Sequence, residues 1–339
     1  MYQVEQILIG VDSSGYSGCA LEFARGFGEE EEAKKGKKGK GKKGKGKGGA
    51  VELALVHGVA PMSQSVRDVL FPYAALGEDD REVEAELMEA ARRRLEDRFE
   101  FEGDLHLALG ASHQVILERA RKLDVEMIAI GAFGEGGVSP DGLGSTSRRV
   151  VASATRPVAL IRDFGGRPKV RRILAAVDLS RYSKGVLEVA LSVAAELGAT
   201  VDVLHVVPSP AQYDTDWLLE RELEVAPQQL FESVEPKARA LLQELMGGLD
   251  VPMSRRIAVE QAMGSEMVGF GDPGREIAQA AHDGAYELVV VGRGARGDAA
   301  GGGPGRVAST VMVEAAAHIL VVPRRSENTP LQRWGGIDR

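Results

Sequence analysis

Apolar residues in this chain gather in short runs: ILIGV (7–11), LALV (53–56), MIAI (127–130) and VALI (158–161). Between them lie longer stretches where apolar positions recur every three or four residues. A short, fully apolar run suits a strand buried on both faces, while the longer period suits a helix with one buried stripe. Reading the first half this way predicts strands at 6–11, 51–57, 104–109, 126–130 and 157–161. It predicts helices at 16–27, 83–99, 112–122 and 146–153. The helix at 83–99 has the clearest stripe, because Val83, Leu87, Ala91, Leu95 and Phe99 fall every four residues on one face. Strands alternating with helices imply βαβ units around a parallel sheet.

The pattern then repeats. ILIGVDSSGYSGCALEFA (7–24) and ILAAVDLSRYSKGVLEVA (173–190) share ten of eighteen positions at an offset of 166. MIAIGAFG (127–134) answers to LVVVGRGA (288–295), and PVALIR (157–162) to ILVVPR (319–324). A period this long means a duplicated domain, not a solenoid of small repeats. The expected architecture is α/β: two tandem Rossmann-like domains, each a five-stranded parallel sheet with helices on both faces. The expected boundaries are 1–163 and 170–325, with a linker at DFGGRP (163–168) and a polar tail at 326–339. The second half places strands near 172–177, 200–207, 288–291 and 319–322. Its third strand falls either at RRIAVE (255–260) or at EMVGFG (266–271).

Composition narrows the possibilities. The chain has 339 residues, 44% hydrophobic, a net charge of −8 and a single cysteine, Cys19. One cysteine allows no internal disulfide and suits a reducing, cytoplasmic setting. The acidic balance argues against broad nucleic-acid binding. Residues 29–49 stand apart, with four glutamates followed by nine lysines interleaved with glycine. This composition builds no core and reads as a disordered surface loop. Its lysines offer at most a local contact for an anionic surface. The six histidines show no metal-ligand spacing.

The candidate chemistry lies in GAFGEGGVSPDGLGSTSRRV (131–150), which leaves the carboxyl end of a strand and opens a helix. Ligands of open α/β sheets bind at that edge. Gly131 and Gly134 allow close backbone approach. Gly144, Ser145 and Thr146 open the helix, whose free N–H groups attract phosphate, and the hydroxyls of Ser145 and Ser147 add donors. Asp12, ending the first strand, is positioned either to bind an adenine amino group or ribose hydroxyl, or to cap the first helix. GRGARG (292–297) matches G-x-G-x-x-G, but it follows the fourth strand and leads into DAAGGGPG, so it is no dinucleotide fingerprint.

The spacing Gly131-x2-Gly134-x9-Gly144-Ser145, present in a chain that carries the pattern twice, resembles the ATP-binding signature of the universal stress protein family. The resemblance covers nearly the whole chain. It implies ATP as the ligand, with Mg2+ as a possible companion, and Asp12 at the base or ribose. It also implies His57, Gly58 and Ile130 beside adenine. It implies a cytosolic stress-response regulator with at most weak hydrolase activity, in which the two repeats pair as an intramolecular pseudo-dimer or associate further as a homo-oligomer. In the second half, Asp178 and Val206 hold the adenine end and Gly292 and Gly305 keep the spacing. There Ala295 replaces the second glycine, Arg306 the first serine and Ala308 the second, so weaker binding or none is expected. The rival readings are a nucleotide hydrolase or transferase, and a dimerising scaffold without nucleotide.

Overall fold

The computed structural model describes residues 2–35, 51–61, 80–101, 103–135, 142–165, 169–209, 227–294 and 303–324. In the first half the order is β1 (Gln6–Gly10), α1 (Gly15–Lys35), β2 (Glu52–Val59), α2 (Asp80–Arg98), β3 (Asp104–Leu109), α3 (Ser112–Leu123), β4 (Met127–Gly131), α4 (Ser145–Ser153) and β5 (Val158–Ile161). The second half repeats it with β6 (Arg172–Val177), α5 (Ser183–Leu197), β7 (Thr200–Pro208) and α6 (Pro227–Gly247). A short helix, α7 (Arg256–Ala262), precedes β8 (Met263–Gly271), and α8 (Pro273–Asp283), β9 (Leu288–Gly292), α9 (Arg306–Glu314) and β10 (His318–Val322) complete the half.

Among the described residues the strands form one ten-stranded sheet, ordered β3-β2-β1-β4-β5-β10-β9-β6-β7-β8. Pairing within each half is parallel, as the βαβ pattern requires. The halves meet where β5 and β10 pair antiparallel, with Ile319 opposite Leu160 and Val321 opposite Val158. Two parallel sheets thus become one, and each last strand covers the edge of the other.

Alternate strand residues feed two cores. Ile7, Ile9, Met127 and Ala129 join Phe23, Leu95, Leu187 and Leu242 on one face. Leu8, Ile128 and Ile130 join Ile116, Val150, Ile277 and Val311 on the other. Both cores run through the β5–β10 seam. On α2 the predicted stripe is buried at Val83, Ala91 and Leu95 and half-buried at Leu87, and Phe99, just past the helix, is buried too.

The third strand of the second half is β8, which contains EMVGFG, one of the two segments expected for it, while Arg256–Glu260 of RRIAVE lies in α7. One expectation changes. The helix α1 runs to Lys35, so the charged stretch begins as helix and not as loop. Glu, Ala and Lys favour helix, and the run meets no glycine between Gly28 and Gly36. Residues 36–50, which include most of the Lys/Gly tract, and the tail at 326–339 lie outside the described residues.

Candidate functional site

Asp12 follows β1 at the carboxyl edge of the sheet. Its Oδ1 accepts hydrogen bonds from the Ser14 N–H at 2.9 Å, the Ser14 hydroxyl, and the Ser17 hydroxyl at 2.7 Å. The Asp12 N–H donates to Ser17 Oγ at 2.8 Å. Across the sheet edge, the Glu135 N–H donates to Asp12 Oδ2 at 3.2 Å, and the Ser13 N–H donates to Glu135 Oε1 at 2.9 Å. The loop after β4 is therefore clasped to the loop after β1. Burial raises the Asp12 carboxyl, but the donors from Ser14, Ser17 and Glu135 outweigh it and hold its pKa below the ordinary value. Ser13 Oγ is buried with no hydrogen-bond partner among the described residues.

The motif glycines serve this packing directly. A Cβ at Gly134 would lie 2.7 Å from Asp12 Oδ2. One at Gly131 would lie 2.6 Å from Tyr16 Cβ and 2.8 Å from the Phe133 carbonyl oxygen. The space that these glycines leave is taken by the chain itself, and Tyr16 and Phe133 meet edge to face at 5.2 Å. Gly58 has a similar cause, since a Cβ there would sit 2.6 Å from Ser112 Cα, where α3 begins. Ile130 is buried, and a Cβ on Gly10 would come within 2.7 Å of it, so its side chain belongs to the core. His57 Nδ1 bonds the Val11 carbonyl at 2.6 Å.

Helix α4 opens on Gly144, which has an extended backbone and no side-chain cap. No acidic residue occupies its first turn. The amides of Ser145, Thr146 and Ser147 thus open the helix at the carboxyl edge with no side-chain acceptor among the described residues. Gly144 N–H donates to the Ala132 carbonyl at 2.9 Å. Ser147 is buried and its hydroxyl donates to the Gly131 carbonyl at 2.8 Å, which pins α4 to the end of β4. The edge thus gathers Asp12, Gly58, Gly131, Gly134 and the opening of α4, while Ile130 turns inward.

The second half keeps part of this arrangement. Asp178 Oδ1 accepts from the Ser180 N–H at 3.0 Å and the Ser183 hydroxyl at 2.9 Å. His205 Nδ1 bonds the Val177 carbonyl at 2.9 Å. Burial and these hydrogen bonds act on Asp178 as they do on Asp12, with the same net lowering. The aspartate–serine hydrogen bonds therefore shape the first turn in both halves. The phosphate end differs. Ala308 is buried at the place of Ser147, so a hydroxyl pin to Gly292 is impossible. Arg306 pairs with Asp272 at 3.6 Å, and Tyr182 lies under the guanidinium of Arg324 at 4.5 Å. Gly305 N–H donates to the Arg293 carbonyl at 2.7 Å, Val206 is buried, and Ala295 lies outside the described residues.

The universal stress protein family profile matches this chain twice, over residues 47–162 and 169–323. The chain belongs to the universal stress protein family. The first match begins at the last residues of the Lys/Gly tract. Residues 1–46, with β1 and Asp12, fall outside it, yet β1 lies between β2 and β4 as its repeat β6 lies between β7 and β9. Universal stress protein A homolog 1 of Coxiella burnetii is 37% identical over 87 residues, covering 25% of this chain and 57% of that one. A universal stress protein of Mycobacterium tuberculosis is 27% identical over 206 residues, covering 58% of this chain and 62% of its own length. The chain thus spans about three fifths of the curated relatives it matches. Among solved structures, a putative universal stress protein from Pseudomonas aeruginosa has a TM-score of 0.53 at 16% identity, covering 94% of this chain and 93% of that one. One from Archaeoglobus fulgidus gives 0.53 at 16%, covering 96% and 100%. These likenesses concern the fold.

This universal stress protein brings to the candidate site four residues that sequence reasoning did not single out: Ser17, Glu135, Tyr16 and Phe133. Ser17 and Tyr16 left a trace, because both recur in the repeat as Ser183 and Tyr182. Glu135 left none, since its role depends on two loops meeting. Among the described residues, no group of three His, Cys, Asp or Glu side chains is placed to hold a metal ion. No helix among them is long and apolar enough to cross a membrane.

Proposed function

We propose that the domain of residues 1–163 binds ATP and that the protein acts as a nucleotide-dependent stress-response regulator. The domain of residues 170–325 completes an intramolecular pseudo-dimer and binds nucleotide weakly or not at all. The observation that carries this reading is the opening of α4. Its first amides lie at the sheet edge with no capping side chain among the described residues, beside the Asp12–Glu135 clasp. A phosphate is the natural partner for such a helix start. The buried Ser13 hydroxyl, which has no partner among the described residues, suits a ligand oxygen in the same place.

The chain's residues divide the work. Ser145, Thr146 and Ser147 supply main-chain donors to the phosphates, and Ser145 adds its exposed hydroxyl. The Ser147 side chain holds the helix in place. Gly131 and Gly134 let α1 and Asp12 come close enough to build the rim. Asp12 Oδ2, which takes one donor from Glu135, is the oxygen left to meet a ribose or adenine group. In the second domain, the substitutions at Arg306 and Ala308 remove the serine hydroxyls from the corresponding helix.

Calorimetric titration with ATP tests the proposal, together with mass analysis of nucleotide carried through purification. One ATP per chain is expected. Ser145→Pro is the sharpest variant, because proline is tolerated at the first helical position while removing one donor. Losing a hydrogen bond to a charged phosphate costs about 1.5–3 kcal/mol, so affinity should fall about tenfold or more. Gly292→Val should leave the stoichiometry unchanged. Wild-type protein that takes up no ATP, or Ser145→Pro that binds as tightly, refutes the assignment.

A further inference from the structure

Helices α4 and α9 each follow a strand whose end forms a candidate phosphate edge, and neither has a basic residue in its last turn. Each receives an arginine from the other half. Arg293, directly after β9, donates from Nη1 to the carbonyls of Ala154 at 2.8 Å, Ala152 at 3.1 Å and Val151 at 3.4 Å. Arg162, directly after β5, donates from Nη2 to the carbonyl of Met312 in the last turn of α9. The antiparallel β5–β10 seam makes this exchange possible, because it brings the far ends of the two helices to the opposite half. The contact at Arg293 is the more extensive, engaging three carbonyls at the end of α4.

Arg293 is also tied to the second domain's own edge. Its N–H donates to the Val322 carbonyl at 2.8 Å, and its carbonyl accepts from Gly305 N–H at 2.7 Å. Gly305 caps α9. The main chain of Arg293 thus belongs to the loop where the second phosphate site would lie, while its side chain holds the helix that opens the first. A further contact crosses the seam in the other direction. A Cβ at Gly142, in the first domain's glycine loop, would lie 2.8 Å from Val313 of α9.

We propose that Arg293 is a positioning residue for the first domain's anion site, supplied by the second domain. This rests on the reading of α4 as the phosphate-binding helix. The guanidinium satisfies carbonyls that the helix end leaves open and places a cation at its negative pole. It fixes the axis along which the amides of Ser145, Thr146 and Ser147 point. It also gives the second domain a task that does not depend on its own nucleotide binding, because a half without a competent motif can still hold α4.

The test compares wild type, Arg293→Met and Arg293→Lys by ATP titration and by amide hydrogen exchange of α4 without ligand. Methionine keeps the aliphatic stem and removes the charge, and lysine restores the charge. Arg293→Met should bind ATP about threefold to tenfold more weakly, the range for a charge at a helix end. Its α4 amides should exchange faster. Arg293→Lys should recover most of both. Arg293→Met that binds like wild type, or Lys and Met variants equally impaired, overturns the proposal. Wild type that takes no ATP refutes the nucleotide reading instead. The exchange measurement then still decides the capping, which unchanged α4 protection in Arg293→Met would overturn.

Discussion

Replacing His318 with glutamine isolates a pH-dependent component of stability at the joint between the two domains. His318 opens β10 and is 3% exposed. Its Nδ1 accepts the Arg162 N–H at 3.1 Å, so the folded protein needs the neutral ring. Phe164 and Phe23 face it, with ring centroids at 5.2 and 6.3 Å. Burial, with the nearby Arg162 charge, lowers its pKa from 6.5 to about 4. Between those values the unfolded chain binds a proton that the folded chain does not. The contribution is therefore full above about pH 6.5 and is lost as pH falls toward 4. A shift of about 2.5 units at about 1.4 kcal/mol per unit gives about 3 kcal/mol. Glutamine offers Arg162 an acceptor and does not titrate. Urea unfolding of wild type and His318→Gln at several pH values should show the stability difference moving by about 3 kcal/mol between pH 7 and pH 4, against the wild type. A difference constant across that range refutes the reasoning, as would an NMR titration placing the His318 ring near 6.5.

Other substitutions test the packing. Gly58→Ala forces a methyl to within 2.6 Å of the Ser112 backbone, and Gly131→Ala forces one against Tyr16 and the Phe133 carbonyl. Each should cost about 1–3 kcal/mol by thermal or urea unfolding, and unchanged stability would contradict the close approach. Asp12→Asn leaves the Ser14 and Ser17 hydroxyls with a weaker acceptor. Because the Asp12 pKa is lowered in the folded state, the stability it adds is present above about pH 4 and lost on further acidification. The variant's stability should therefore approach that of wild type as pH drops below 4. Tyr2 is fully buried, its hydroxyl donates to the Glu126 carbonyl at 2.6 Å, and Arg255 donates to the Tyr2 carbonyl at 3.0 Å. Tyr2→Ala should cost about 3–5 kcal/mol, read from the urea midpoint.

Much of the fold was written in local patterns. The apolar runs at 7–11, 127–130 and 158–161 could be little else than buried strands, and the stripe from Val83 to Phe99 named the buried face of α2 before any coordinates. The internal repeat fixed the number of domains, because ten identities in eighteen positions leave no other account of the second half. The glycine spacing also marked the edge of the candidate site, since a glycine-rich exit from a parallel strand into a helix has few uses. These features are legible because they depend on neighbours in sequence, through strand and helix periodicity and turn chemistry. Only the folded chain decided what the motif residues touch. Gly134 faces Asp12, Ser147 turns back to Gly131, and Ile130 turns into the core. Only the fold, too, joined β5 to β10 and so carried Arg293 to the end of α4. Those contacts join residues more than a hundred positions apart in most cases, and a partner so distant leaves no periodicity in the chain. It is selected by the twist and pairing of whole sheets, which no short stretch encodes alone.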